Sequence, residues 1–90
     1  MDKTYIIKIF GQVQGIGYKK FVYDLAINRG ITGRIKDKSD GSILILASTD
    51  EALIDDFIKE LSVNELYSGV SCVKVQETNG TVFDGFHMYN

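Results

Sequence analysis

The sequence predicts an α+β fold, a ferredoxin-like two-layer sandwich connected βαββαβ, with a mostly antiparallel sheet and two helices on one face. Three observations carry this. Short runs rich in β-branched and aromatic residues are interleaved with two stretches of helical spacing. The segment Lys38-Ser39-Asp40-Gly41 has hairpin-turn chemistry and joins two of the strand candidates, which then pair antiparallel. The 90 residues are one domain's worth of chain, spanning 1–90, with no linker, repeat or low-complexity segment. A domain this small buries only about 60–65% of its unfolded surface, so a functional site is expected on loops at the edge of the core.

The elements follow in order. Thr4 to Phe10 (TYIIKIF) reads as a strand, with Tyr5, Ile7 and Ile9 on one face. Gly11 to Gly17 (GQVQGIG) holds three glycines in seven residues and reads as a loop. From Tyr18 to Arg29 the spacing is helical: Phe21, Val22, Leu25 and Ala26 form a stripe, and Gly30 stops the helix. Ile31–Asp37 and Ser42–Ala47 are short strands. Ser48 and Glu51 are spaced as a capping box for a second helix, which buries Leu53, Ile54, Phe57, Ile58 and Leu61. Asn64 to Gly69 is a loop. Val70 to Glu77 is a strand with Val73 and Val75 on one face. Asn79-Gly80 and Asp84-Gly85 are turns, and Phe86 to Tyr89 is a short last strand.

Ten Lys and Arg stand against twelve Asp and Glu, a formal charge of −2. That balance argues against a nucleic-acid binder held by phosphate neutralisation, though not against one small cationic pocket. The five tyrosines do not change this, because the aromatic pattern of an RNA-binding sheet is absent. One cysteine, Cys72, and one histidine, His87, allow neither a disulfide nor a zinc site, and no cofactor is called for. Cys72 is read as a small core or sheet-face residue, and His87 as a surface or edge residue. The acidic residues Asp50, Glu51, Asp55 and Asp56 are read as the first turn and solvated side of the second helix. Lys8 interrupts the first apolar run, so no export signal or membrane span is expected, and the cytoplasm is the default compartment.

The informative segment is Gly11-Gln12-Val13-Gln14-Gly15-Ile16-Gly17-Tyr18-Lys19-Lys20. A glycine-rich turn running into a helix N-terminus offers backbone N–H groups as an anion cradle, and Lys19 and Lys20 add positive charge. The plainer alternative is a flexible turn before a helix. The spacing matches neither a Walker A loop nor a dinucleotide fingerprint.

These residues resemble a known family. GQVQGIGYKKF is similar to the acylphosphatase signature, roughly G-x-V-Q-G-V-x-F-R. Gly30-Ile31-Thr32-Gly33-Arg34-Ile35-Lys36-Asp37, continuing to Gly41-Ser42-Ile43, resembles the second signature, and Gly85-Phe86-His87-Met88-Tyr89 resembles the usual close. The resemblance covers nearly the whole chain. Gly15 to Val22 also resembles the acylphosphatase-like domain that opens hydrogenase-maturation carbamoyltransferases.

The resemblance implies hydrolysis of acyl phosphates to a carboxylate and phosphate without a metal. The loop and one arginine would hold the phosphate, and an asparagine at the end of the second strand would position water. Gln14, Gly15, Ile16, Gly17, Tyr18 and Lys19 are the implied phosphate-binding residues, for an acyl phosphate or for inorganic phosphate or sulfate. Neither nucleic acid nor membrane is expected as a partner, and a protein partner is left open. Both catalytic positions depart from the family: the arginine position is Lys19, and the asparagine position is Asp37. Lysine lacks the planar fork that grips two phosphate oxygens. An ionised aspartate only accepts hydrogen bonds and brings negative charge toward the phosphate. Three readings stand open. Lys19 and Asp37 pair and the activity is mostly lost; Asp37 serves as a general base in a slower hydrolase; or the pocket binds an anion or a partner without chemistry. Arg34 stands where the family usually has tryptophan, which implies the loss of an aromatic wall near the site.

Overall fold

Period-two alternation decides which way each strand faces. In the first strand Tyr5, Ile7 and Ile9 are buried, and the facing residues of the middle strands, Ile35, Ile43, Ile45 and Ala47, are buried with them. The computed structural model describes residues 2–15, 17–62, 69–79 and 84–89. It contains β1 (Asp2–Gly11), α1 (Tyr18–Asn28), β2 (Thr32–Asp37), β3 (Ile43–Asp50), α2 (Glu51–Ser62), β4 (Val70–Thr78) and β5 (Phe86–Tyr89). The strands form one five-stranded sheet in the order β4-β1-β3-β2-β5. Three pairings are antiparallel, and β5 lies parallel to β2 at the edge. Both helices pack on the face that carries the isoleucines, through Val22 and Ala26 of α1 and Ile54, Phe57 and Leu61 of α2. This is the fold class expected from the sequence.

α1 ends as Gly30 predicts. Gly30 has φ +69°, its N–H donates to Ile27 O at 3.2 Å, and the Ile31 N–H donates to Ala26 O at 2.9 Å. That pair of bonds is a Schellman closure. The β2–β3 turn closes with Lys38 N–H to Ser42 O at 2.9 Å and Gly41 N–H to Lys38 O at 3.1 Å.

Two expectations need correction. The capping box does not form, because β3 continues to Asp50 and Ser48 is a strand residue whose hydroxyl bonds that of Thr4 at 2.6 Å. Asp50 caps α2 instead, its Oδ1 accepting from the Ala52 N–H at 2.8 Å. Leu53 does not join the buried face of α2 but is 46% exposed. On β4, Val73 and Val75 do share one face, opposite Ile9 and Ile7, but only Val73 is half-buried and Val75 is exposed, because β4 is an edge strand. The loop expected over 64–68 and the Gly80 half of the Asn79-Gly80 turn lie outside the described residues.

Candidate functional site

The glycine loop starts from a disturbance in β1. Pairing with β4 shifts register between Phe10 and Gly11, and the Gln12 N–H donates to Gly69 O at 2.9 Å. The backbones are so close there that a Cβ on Gly11 would stand 2.0 Å from Gly69 O. Val13 then tucks into the core. Gln14 ties the loop to the β2–β3 turn: its Nε2 donates to Lys38 O at 2.7 Å and Ser42 O at 2.8 Å. Gly15 and Gly17 sit at φ +78° and +81°, left-handed conformations that favour glycine. Gly17 is the N-cap of α1 and supplies no side-chain cap. The helix ladder begins with the Phe21 N–H to Gly17 O, and the N–H groups ahead of it point out of the helix end.

Lys19 stands in that first turn. Its Nζ donates to Asp37 Oδ2 at 3.1 Å and to Tyr89 O at 2.9 Å. Asp37 is the last residue of β2, and Tyr89 ends β5, which runs beside it. The ammonium is thus held where the start of α1, the end of β2 and the end of β5 converge. The Lys19 side chain is 15% exposed and that of Asp37 34%. An anion entering the loop must draw Lys19 away from these partners or share it with them.

The structure brings Lys19, Asp37, Gly15 and Gly17 to one end of the sheet. Ile16 lies outside the described residues. Tyr18 belongs to the loop only through its backbone. Its side chain is fully buried, and its hydroxyl donates to Leu61 O at 3.0 Å, joining the start of α1 to the end of α2. Burial pushes its phenol well above the ordinary tyrosine value. The signal was in the sequence, since Tyr18, Val22 and Ala26 fall four apart on one helix face. Tyr89 O could not be read there, being a backbone oxygen 70 residues from Lys19.

Arg34 is not beside this site. It neighbours buried Ile35, faces the other side of the sheet and pairs with Leu46. Of the remaining candidates, His87 is exposed, with Nε2 2.7 Å from Asp84 O, and Cys72 is exposed on the sheet face. Among the described residues no group of three or more His, Cys, Asp or Glu could hold a metal. No helix among them is long and apolar enough to cross a membrane.

The sequence model of the family described as Acylphosphatase matches residues 5–88. An acylphosphatase of Pseudothermotoga lettingae is 35% identical over 80 residues, covering 89% of this chain and 90% of that one. A carbamoyltransferase HypF of Synechocystis sp. is 37% identical over 62 residues, 69% of this chain but 8% of that protein. Among solved structures, the crystal structure of acylphosphatase from Bacillus subtilis superposes with a TM-score of 0.90 at 28% identity, covering 100% of both chains.

Proposed function

The chain belongs to the acylphosphatase family, and on that premise we propose that it is an acyl phosphate hydrolase whose rate is strongly reduced by its own ion pair. The substrate class is small acyl phosphates, cleaved by water to a carboxylate and inorganic phosphate in the cytoplasm, with no metal or cofactor. One observation carries the reading: Lys19 Nζ lies 3.1 Å from Asp37 Oδ2 and 2.9 Å from Tyr89 O. The cation that would grip the phosphate already has a carboxylate and a carbonyl as partners.

The cradle is the part that supports chemistry. Phosphoryl transfer through a loose transition state asks for positioning and charge stabilisation more than for covalent help. The backbone donors at the start of α1 and the glycines on either side of residue 16 supply that where the phosphate would sit. What weakens the site is Lys19 and Asp37. Losing one well-placed stabilising donor costs about 10²–10³ in rate at comparable sites. Lysine in place of arginine keeps the charge and loses the bidentate grip. The carboxylate repels the phosphate and cannot donate a hydrogen bond to the attacking water.

The test is hydrolysis of a simple acyl phosphate by the natural chain and by the Lys19→Arg/Asp37→Asn variant. A variant about 10²–10³-fold faster than the natural chain is expected. A natural chain as fast as the variant overturns the reading and gives Asp37 a part as general base. If neither turns over but both bind inorganic phosphate, the chain is an anion-binding domain without chemistry.

A further inference from the structure

The two helices cover one face of the sheet, and no described element packs on the other. That face is organised by the strand register. Lys74, Lys8, Leu44, Lys36 and Tyr89 lie side by side across the five strands. One step along, Gln76, Ile6, Leu46, Arg34 and His87 form the adjacent row. These rows hold four cations and no carboxylate, although the whole chain carries a net charge of −2. Lys8, Lys36 and Lys74 are exposed, and Lys74 Nζ stands 5.5 Å from the centre of the Phe10 ring on the same face. Between the cations runs a half-buried aliphatic stripe of Leu44, Leu46 and Ile6. Two shallow depressions flank it. One, of about 340 Å³, is lined by Arg34, Lys36, Leu44, Leu46 and Tyr89; the other, of about 480 Å³, by Ile6, Lys8, Lys74, Val75 and Gln76.

We propose that this face docks an acidic amphipathic helix of a protein partner. The partner's aliphatic stripe lies along β3 on Leu44 and Leu46, and its carboxylates meet Lys8 and Lys74 on one side and Lys36 and Arg34 on the other. The dimensions fit: β1 and β2 flank β3 at about 4.8 Å each, so the cationic flanks stand about 10 Å apart, close to the diameter of a helix. The pattern is that of a helix laid in a groove, with apolar anchors giving area and rim charges giving orientation. A second copy joined face to face would set cations against cations. A nucleic-acid strand needs stacking rings where its bases lie. Here the centre is leucine and isoleucine, the Phe10 ring lies under the Lys74 ammonium, and Tyr89 and His87 sit on the outermost strand. This inference does not depend on the hydrolytic reading, because the Lys19–Asp37 pair lies on the other side of the sheet.

The probe is a synthetic helical peptide of about 18 residues with leucines at positions three and four apart, flanked by glutamates. Amide shifts of the full chain are followed as peptide is added. Saturable shifts are expected along β3, β1 and β2, centred on Leu44 and Leu46. The Lys8→Glu/Lys36→Glu variant should bind at least about ten-fold more weakly, and raising salt from about 0.05 to about 0.5 M should weaken binding by a similar factor. Both positions are exposed, and unchanged amide shifts on the helix layer check that the variant is folded. The proposal is overturned if the peptide produces no saturable shifts, or shifts only the helix layer. It is also overturned if a lysine-for-glutamate version binds as well, or if a single-stranded oligonucleotide takes the face and the peptide does not.

Discussion

Changing Asp37 to Asn removes the charge facing Lys19 and keeps the size of the side chain. Asp37 Oδ2 lies 3.1 Å from Lys19 Nζ. A phosphate oxygen bonded to the same ammonium therefore stands about 5 Å from the carboxylate. At that separation like unit charges repel by about 3 kcal/mol at an effective dielectric of 20, and by about 0.8 kcal/mol in bulk water. With the two side chains 15% and 34% exposed, the repulsion falls between these limits, at about 1.5–2 kcal/mol per unit of phosphate charge. The Asp37→Asn chain should thus bind inorganic phosphate about 10–30-fold more tightly than the natural chain. The assay is a phosphate titration at low ionic strength, read from the amide shifts of Gly15, Gly17 and Lys19. Added salt should shrink the difference, since both side chains are partly solvated. Unchanged or weaker binding in the variant would refute the reasoning, because Asp37 would then hold Lys19 in place for the anion rather than compete with it.

Other perturbations separate the scaffold from the site. A Cβ on Gly33 would stand 1.8 Å from Leu46 O at φ +144°, whereas one on Gly41 meets nothing within 4 Å at φ +91°. Urea unfolding should show Gly33→Ala losing about 3 kcal/mol or more and Gly41→Ala about 1 kcal/mol, the second from backbone strain alone. Gln14→Ala removes two bonds from the loop to the β2–β3 turn, but the Lys38 and Ser42 carbonyls each keep a backbone donor. Its cost should be only about 1 kcal/mol, with faster hydrogen exchange in the loop. Tyr18→Phe deletes the bond to Leu61 O and should cost about 1–2 kcal/mol. Because the folded phenol titrates above its unfolded value of 10.0, its stabilisation is complete below that pH and declines as pH rises past it. Urea midpoints on either side of about pH 10 should therefore fall less steeply in Tyr18→Phe than in the natural chain.

The layers of the fold were legible because alternation in β1 and β3 and the stripes of α1 and α2 follow their periods cleanly. The pairing of Lys19 with Asp37 was legible as one of three possibilities, from two opposite charges at matched ends of α1 and β2. Other features escaped for definite reasons. Ser48 and Glu51 have capping spacing, but cross-strand pairing of Ser48 with Thr4 keeps the chain extended to Asp50. Local chemistry there lost to a tertiary contact. Leu53 continues the apolar spacing of α2 without reaching the sheet. The role of Gln14 depends on two carbonyls of a distant turn, and spacing carries no information about those. The expectation that Arg34 takes the place of an aromatic wall beside the site did not allow for parity: with Ile35 in the core, its neighbour must face the opposite side. Averaging charge over the chain concealed that four of the ten cations lie together on the open face of the sheet.

The ring of contacts around Lys19 also sets when the site can exist. Its partners come from β2 and β5, 18 and 70 residues away. A hairpin or helix forms from neighbours, whereas this arrangement must wait for a parallel strand to cross nearly the whole chain and settle at the far edge. Loop-closure entropy places such a contact late in folding. On a ribosome the lysine would pass through a period when the Asp37 carboxylate of β2 competes with an anion for it but the Tyr89 carbonyl of β5 does not yet. The restraint on this site is thus acquired in steps: it is completed when β5 docks, and it loosens whenever that short edge strand opens.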